Sequence, residues 1–117
     1  MSKPSVLIYH NPRCSKSREV LGMLRERGVE PEVVDYLKTP PDAATVKTLI
    51  RKLGTAPHAL LRTKEAAYAE SGLNTSSNAD AVAEAIAAQP ILLERPVVVV
   101  GNRAAIGRPV EKVLALL

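Results

Sequence analysis

The first third of this chain leaves few folds open. Val6-Leu7-Ile8 is a continuous apolar run closed by the turn signal Asn11-Pro12, so Ser5 to Tyr9 reads as a short buried strand. From about Ser15 to Arg27 the period changes to that of a helix, with Val20, Leu21 and Leu24 on one face and Gly28 where a helix C-terminus is expected. Glu32 to Tyr36 resumes β character. A strand, a helix and a second strand joined by a crossover of this length imply a parallel pair.

The remaining elements build on that unit. Thr39-Pro40-Pro41-Asp42 is a helix-start signal, and Val46, Leu49, Ile50 and Leu53 recur at helical spacing before Gly54, which predicts a helix from about Asp42 to Leu53. Pro57 to Gln89 is rich in Ala and polar residues and reads as several short helices anchored by Leu60, Leu61, Val82 and Ile86. Within it, Ser71 to Asp80 has the composition of a mobile loop. Val97 to Val100, the turn Gly101-Asn102 and a strand around Ala104 to Ile106 form a hairpin. Pro109 then opens a terminal helix carrying Val110, Val113, Leu114 and Leu117. A parallel pair plus a hairpin makes a four-stranded mixed sheet flanked by helices. The expected class is therefore α/β, a thioredoxin-like (glutaredoxin-like) layout over a single domain, 1–117, with a helical insertion at about 42–89.

Composition excludes several functions. With 46% hydrophobic residues and no apolar run near the roughly 20 residues a bilayer crossing needs, neither membrane spanning nor wholesale disorder is expected. Three Tyr with no Phe or Trp argue against binding single-stranded nucleic acid by base stacking, and predict an aliphatic core. Sixteen Lys and Arg against twelve Asp and Glu give a net charge of +4, but the basic residues are dispersed rather than gathered into a DNA-binding stripe. A small anion suits this balance as well as a polyanion does. Met1 to Ser5 lacks the apolar length and cleavage pattern of a secretory signal, so the cytoplasm is the expected compartment.

The chain has one cysteine, Cys14, which can form no internal disulfide and no cysteine-based structural zinc site. It lies in Asn11-Pro12-Arg13-Cys14-Ser15-Lys16-Ser17-Arg18, between the first strand and the first helix. A thiol at a helix N-terminus faces unsatisfied backbone N–H groups and the positive end of the helix dipole, and cationic side chains are near in sequence, so its pKa is expected to be lowered. The same N–H groups would bind an oxyanion. A Cys-x-x-Cys site would need a second thiol where Ser17 stands, and a phosphatase loop would need Arg where Val20 stands. No Walker phosphate loop occurs. In a thioredoxin-like topology Arg95 and Arg108, each preceding a proline, and Arg62 after Leu60-Leu61, are candidates to hold an anion beside the thiol. His58 has no companion ligands at useful spacing and reads as structural or exposed.

Taken together, Tyr9-His10-Asn11-Pro12-Arg13-Cys14, Arg62 in its Leu-Leu-Arg setting, Glu94-Arg95-Pro96-Val97-Val98-Val99 and Gly107-Arg108-Pro109 resemble the glutaredoxin-coupled arsenate reductase family. The similarity runs from about Val6 to Leu117. It implies that Cys14 is the nucleophile toward arsenate, that Arg62, Arg95 and Arg108 bind the oxyanion and its thiol adduct, and that the Arg95-Pro96 bond is cis. His10 matches a position thought to modulate the cysteine, with a strand-end hydrogen bond as the alternative role, and Ser17 matches a nearby hydroxyl. The resemblance further implies glutathione as co-substrate, glutaredoxin as partner, and no bound metal or cofactor. One departure stands out: well-characterised arsenate reductases carry Cys-Gly-Thr-Ser-Arg where this chain has Cys14-Ser15-Lys16-Ser17-Arg18. The alternative reading is a thioredoxin-fold redox sensor or adaptor that binds a protein such as RNA polymerase through its thiol state.

Overall fold

A computed structural model describes residues 5–117, so the reading of Met1 to Ser5 falls almost entirely outside the described residues. The elements run β1 (Val6–His10), α1 (Ser15–Glu26), β2 (Glu32–Asp35), α2 (Ala43–Leu53), α3 (Ala66–Ser71), α4 (Ala79–Ala88), β3 (Val97–Val100), β4 (Arg103–Ile106) and α5 (Glu111–Leu114). Single 3₁₀ turns at Pro57–Leu60 and Pro90–Leu92 flank the short helices. The chain divides into two compact units, one of residues 5–36 with 95–117 and the other Leu37–Glu94.

The first unit holds the sheet, in strand order β2-β1-β3-β4. β1 pairs parallel with β2 and antiparallel with β3, and β3 pairs antiparallel with β4, which is the mixed four-stranded sheet of the expected thioredoxin-like class. Ile8, Val20, Leu24, Val98, Val113 and Leu116 form its buried cluster. Burial of aliphatic side chains of this size stabilises by about 1.5–3 kcal/mol each. α1 stops at a Schellman motif: Gly28, with φ 78°, donates to the Arg25 carbonyl, and Val29 donates to the Leu24 carbonyl while packing on the cluster. At the hairpin, positive φ at Gly101 but not at Asn102 is the pattern of a type II′ turn, whose twist matches the strands it joins.

Two expectations change here. The core is not purely aliphatic, since Tyr36 is fully buried and Tyr9 nearly so. The terminal helix is also a single turn, and its face differs from the expected one. Val113 donates to the Val110 carbonyl, Leu116 to Val113 and Leu117 to Leu114, all three residues back. The α-helical turn therefore tightens into 3₁₀-type turns at its ends. This turns Val113 and Leu116 inward and leaves Leu117 48% exposed, where a 3.6-residue period had placed Leu117 on the buried face.

The second unit is helical. α2 begins at Asp42, whose carboxylate accepts the Thr45 N–H at 2.8 Å, and α4 begins at Asn78, whose Oδ1 accepts the Ala81 N–H at 2.8 Å. Both are N-caps of the preferred kind. Val46, Leu49 and Ile50 of α2 and Val82, Ala83 and Ile86 of α4 are buried, and the two helices pack together. Leu61 and Leu93 form an isolated bridge, closed by Arg62 N–H to the Leu92 carbonyl at 2.8 Å and Glu94 N–H to the Leu60 carbonyl at 2.7 Å. Residues 71–80, read from sequence as a mobile loop, contain the end of α3, hydrogen-bonded turns around Asn74 and Ser77, and the start of α4. His58 is structural: its Nε2 lies 2.7 Å from the Tyr68 hydroxyl, and the rings meet edge to face.

Candidate active site

Register in the sheet determines which side chains can meet. Tyr9 of β1 lies opposite Val97 of β3, and Val97 opposite Ile106 of β4. The chain leaving β1 toward Cys14, the chain entering β3 through Arg95-Pro96 and the chain leaving β4 through Gly107-Arg108 therefore share one end of the sheet. Both Arg-Pro bonds are cis, Arg95-Pro96 as the resemblance implied and Arg108-Pro109 in addition.

Local hydrogen bonds shape the thiol loop. Asn11 accepts twice, through Oδ1 from the Arg13 N–H at 3.0 Å and through its backbone carbonyl from the Cys14 N–H at 2.9 Å. This Asx turn delivers Cys14 to the N-cap of α1 in extended conformation. No side-chain oxygen caps the helix, and its first turn carries no acidic residue. The Arg18 guanidinium closes the loop from outside by donating to the Pro12 carbonyl at 2.8 Å.

Cys14 is buried, and burial alone pushes a thiol pKa up. Four favourable contributions reverse that push: the backbone N–H of Ser17, the charge of Arg95, the backbone N–H of Lys16 and the charge of Arg108. The net pKa is lowered, as the helix-entrance argument expects. Arg108 makes the direct contact, with Nη2 donating to Cys14 Sγ at 3.3 Å while its Nε donates to the Arg95 carbonyl at 2.7 Å.

His10 and Ser17 form a buried pair. Ser17 Oγ accepts the Asn11 N–H at 3.0 Å and lies 2.6 Å from His10 Nδ1. Burial lowers the His10 pKa; Asp35 opposes this, while Arg25 and Arg18 add to it. For a neutral ring the hydroxyl proton is assigned to Nδ1, which gives that nitrogen a donor and leaves Oγ to accept from Asn11. His10 thus has the strand-end hydrogen bond, and the pair ties the end of β1 to the first turn of α1.

The structure assembles Cys14, Arg95, Arg108, His10 and Ser17 within the first unit. Arg62 belongs to the second, where its Nη2 is 2.7 Å from Glu65 Oε1. Sequence reasoning overlooked two residues of the site. Asn11 enters the sequence reading as a turn signal and a motif position without a role of its own, although an Asn before Pro at a strand end is a known Asx-turn former. Gly107 has no sequence signal beyond its place in Gly107-Arg108-Pro109; it is buried, and a Cβ there would lie 2.8 Å from Val20 Cγ2 and 2.9 Å from Pro96 Cγ.

A thiol of lowered pKa, flanked by two guanidiniums and a helix N-terminus, is equipped to attack a centre bearing anionic oxygens and to hold the charge that develops there. Known proteins bear the same stamp. The model of the ArsC family matches residues 9–116. An arsenate reductase of Neisseria meningitidis is 49% identical over 97% of this chain and 99% of its own length. The uncharacterized protein YfgD of Escherichia coli K12 is 53% identical over 96% of each chain. The structure of an arsenate reductase from Vibrio cholerae superposes with a TM-score of 0.92 at 44% identity, covering 99% of this chain and all of the other. With a family match over nearly its whole length and near relatives of equal span, the chain belongs to the ArsC family.

Proposed function

We propose that this protein reduces arsenate to arsenite, with Cys14 as nucleophile. The observation that carries the reading is the contact of the Arg108 guanidinium with Cys14 Sγ at the entrance of α1, a lowered-pKa thiol inside an anion-binding corner. The Cys14 thiolate attacks arsenic(V), an As–S bond forms, and one oxygen leaves as water after taking up protons. Arg95 and Arg108 offset the charge of the bound oxyanion and of the adduct by charge-assisted hydrogen bonds. The resemblance adds Arg62 to these ligands.

Cys14 is the only cysteine of the chain, so the two electrons that take arsenic(V) to arsenic(III) come from other thiols. In the proposed cycle glutathione replaces a second arsenic oxygen, which leaves as water. A glutaredoxin thiol then attacks the glutathione sulfur, the mixed disulfide forms, and the electron pair of the broken As–S bond stays on arsenic. Hydrolysis of the remaining As–S bond releases arsenite and returns Cys14 as a thiol. No step requires a metal or a nucleotide.

The deciding experiment mixes arsenate, glutathione, glutaredoxin and this protein and measures arsenite. Formation of arsenite that is lost in Cys14→Ser supports the reading. Its absence with the native protein overturns the reading, and recovery of RNA polymerase in a thiol-dependent pull-down would put an adaptor role in its place.

A further inference from the structure

Gly107 is the residue of the site whose side chain is absent for a spatial reason. Gly28, Gly54, Gly72 and Gly101 all have positive φ, which side chains other than glycine rarely adopt, whereas Gly107 does not. An alanine could take its backbone conformation and, with room for the methyl, would be expected to stabilise the fold by restricting the unfolded chain. There is no room. The added Cβ would meet Val20 Cγ2 at 2.8 Å and Pro96 Cγ at 2.9 Å, and Val20 is fully buried in the core cluster while Pro96 is buried at the start of β3. Neither neighbour is the free end of a flexible side chain.

Three parts of the site converge there. Val20 lies on α1, the helix that Cys14 caps; Pro96 follows Arg95; and Gly107 precedes Arg108. The Gly107 N–H donates to the Pro96 carbonyl at 2.9 Å, holding the end of β4 against the start of β3. From that position Arg108 reaches two acceptors at once, the Arg95 carbonyl at 2.7 Å and Cys14 Sγ at 3.3 Å. A displacement of a few tenths of an ångström at residue 107 is transmitted directly to the next residue, and a hydrogen bond to sulfur already at 3.3 Å has little slack.

We propose that Gly107 is a positioning residue for the thiol: its missing side chain lets the end of β4 close onto Val20 and Pro96, so that Arg108 bridges the Arg95 carbonyl and the Cys14 sulfur. The groups facing the sulfur are Arg95, Arg108 and the backbone N–H groups of Lys16 and Ser17, and displacement of Arg108, whose hydrogen bond to sulfur the close packing at Gly107 sets, is read out as a rise in thiol pKa. This inference concerns thiol acidity and stands whether or not arsenate is the substrate.

The test measures the Cys14 pKa, from thiolate absorbance near 240 nm and from the pH dependence of alkylation by iodoacetamide, in Gly107→Ala, Val20→Ala, the double variant and Arg108→Gln. Gly107→Ala is expected to raise the pKa by about half a unit or more, which below the pKa cuts the thiolate fraction about threefold. Val20→Ala alone leaves the pKa in place. The double variant lies between Val20→Ala and Gly107→Ala, because one close contact is relieved and that with Pro96 remains. In the Arg108→Gln background, Gly107→Ala adds little. A folded Gly107→Ala with a lower Tm but an unchanged thiol pKa overturns the proposal and leaves the glycine a packing residue only. An undiminished Gly107→Ala effect in Arg108→Gln also overturns it. If Gly107→Ala alone does not fold, the comparison passes to the double variant against Val20→Ala, where equal pKa values overturn the proposal and a higher value in the double variant supports it.

Discussion

Ser17→Ala removes one oxygen and strips two buried groups of their partner. Ser17 is fully buried, His10 is 7% exposed, and the Oγ that joins them at 2.6 Å also accepts the Asn11 N–H at 3.0 Å. A buried polar group left unsatisfied costs about 1–3 kcal/mol. The His10 nitrogen is sealed and falls in the upper part of that range, whereas Asn11 is half-buried, where water can reach its N–H, and falls at the bottom. Alanine returns up to ~0.5 kcal/mol in helix propensity. The two costs sum to about 3–4 kcal/mol, so the net loss is about 2.5–3.5 kcal/mol, and at about 4 °C per kcal/mol for a chain of this size it lowers Tm by roughly 10–14 °C. Thermal unfolding followed by circular dichroism is the assay, with Ser15→Ala, an exposed serine two residues earlier on α1, as the reference expected to stay within about 0.5 kcal/mol. A Ser17→Ala protein that melts within about 2 °C of its parent would refute the reasoning, because the pair would then contribute nothing that water or repacking does not replace.

Other outcomes follow from the same geometry. The His10 pKa is lowered in the folded protein below its ordinary 6.5. As pH falls through 6.5 the unfolded chain therefore takes up a proton that the folded chain refuses. Stability is flat above that pH and declines below it toward the depressed folded value, and His10→Asn is expected to flatten this part of a Tm profile between pH 7.5 and 5. Arg95→Ala and Arg108→Ala, each removing a charge-assisted donor, should each weaken sulfate or arsenate binding by roughly 10- to 100-fold in calorimetry. Unchanged affinity removes that arginine from the anion site. Asn78→Ala deletes the cap of α4 and should cost about 1 kcal/mol, read as a lower midpoint in urea with an unchanged slope.

What the sequence made legible, and what it hid, follows from the range of the interactions involved. β1, α1, β2, α2 and the hairpin were readable because local signals agree with one another: apolar runs or helical spacing, Gly28 and Gly54 at helix ends, Asp42 at a start and Gly101-Asn102 between strands. α5 misled because a single α-helical turn ending in 3₁₀-type turns is too short to carry a 3.6-residue face as far as Leu117, and Val113 and Leu116 are the residues buried there. Tyr36 and Tyr9 were missed in the core because composition counts aromatics without placing them.

The site divides along the same line. Cys14 could be located from one strand, one turn and one helix, all within fifteen residues of it, and its lowered pKa follows from that local placement. Its contact with Arg108 spans 94 positions and exists only because β1 pairs with β3 and β3 with β4 in the register that brings three loops to one end of the sheet. Topology alone could nominate both Arg95 and Arg108, but it could not give the hydrogen bond that Arg108 makes to sulfur. That contact depends on how closely β4 approaches α1, and the sequence records the approach as nothing more than a missing methyl group at Gly107. In this chain the charge that favours the thiolate is therefore visible as residue type, while the precision with which it is delivered resides in packing.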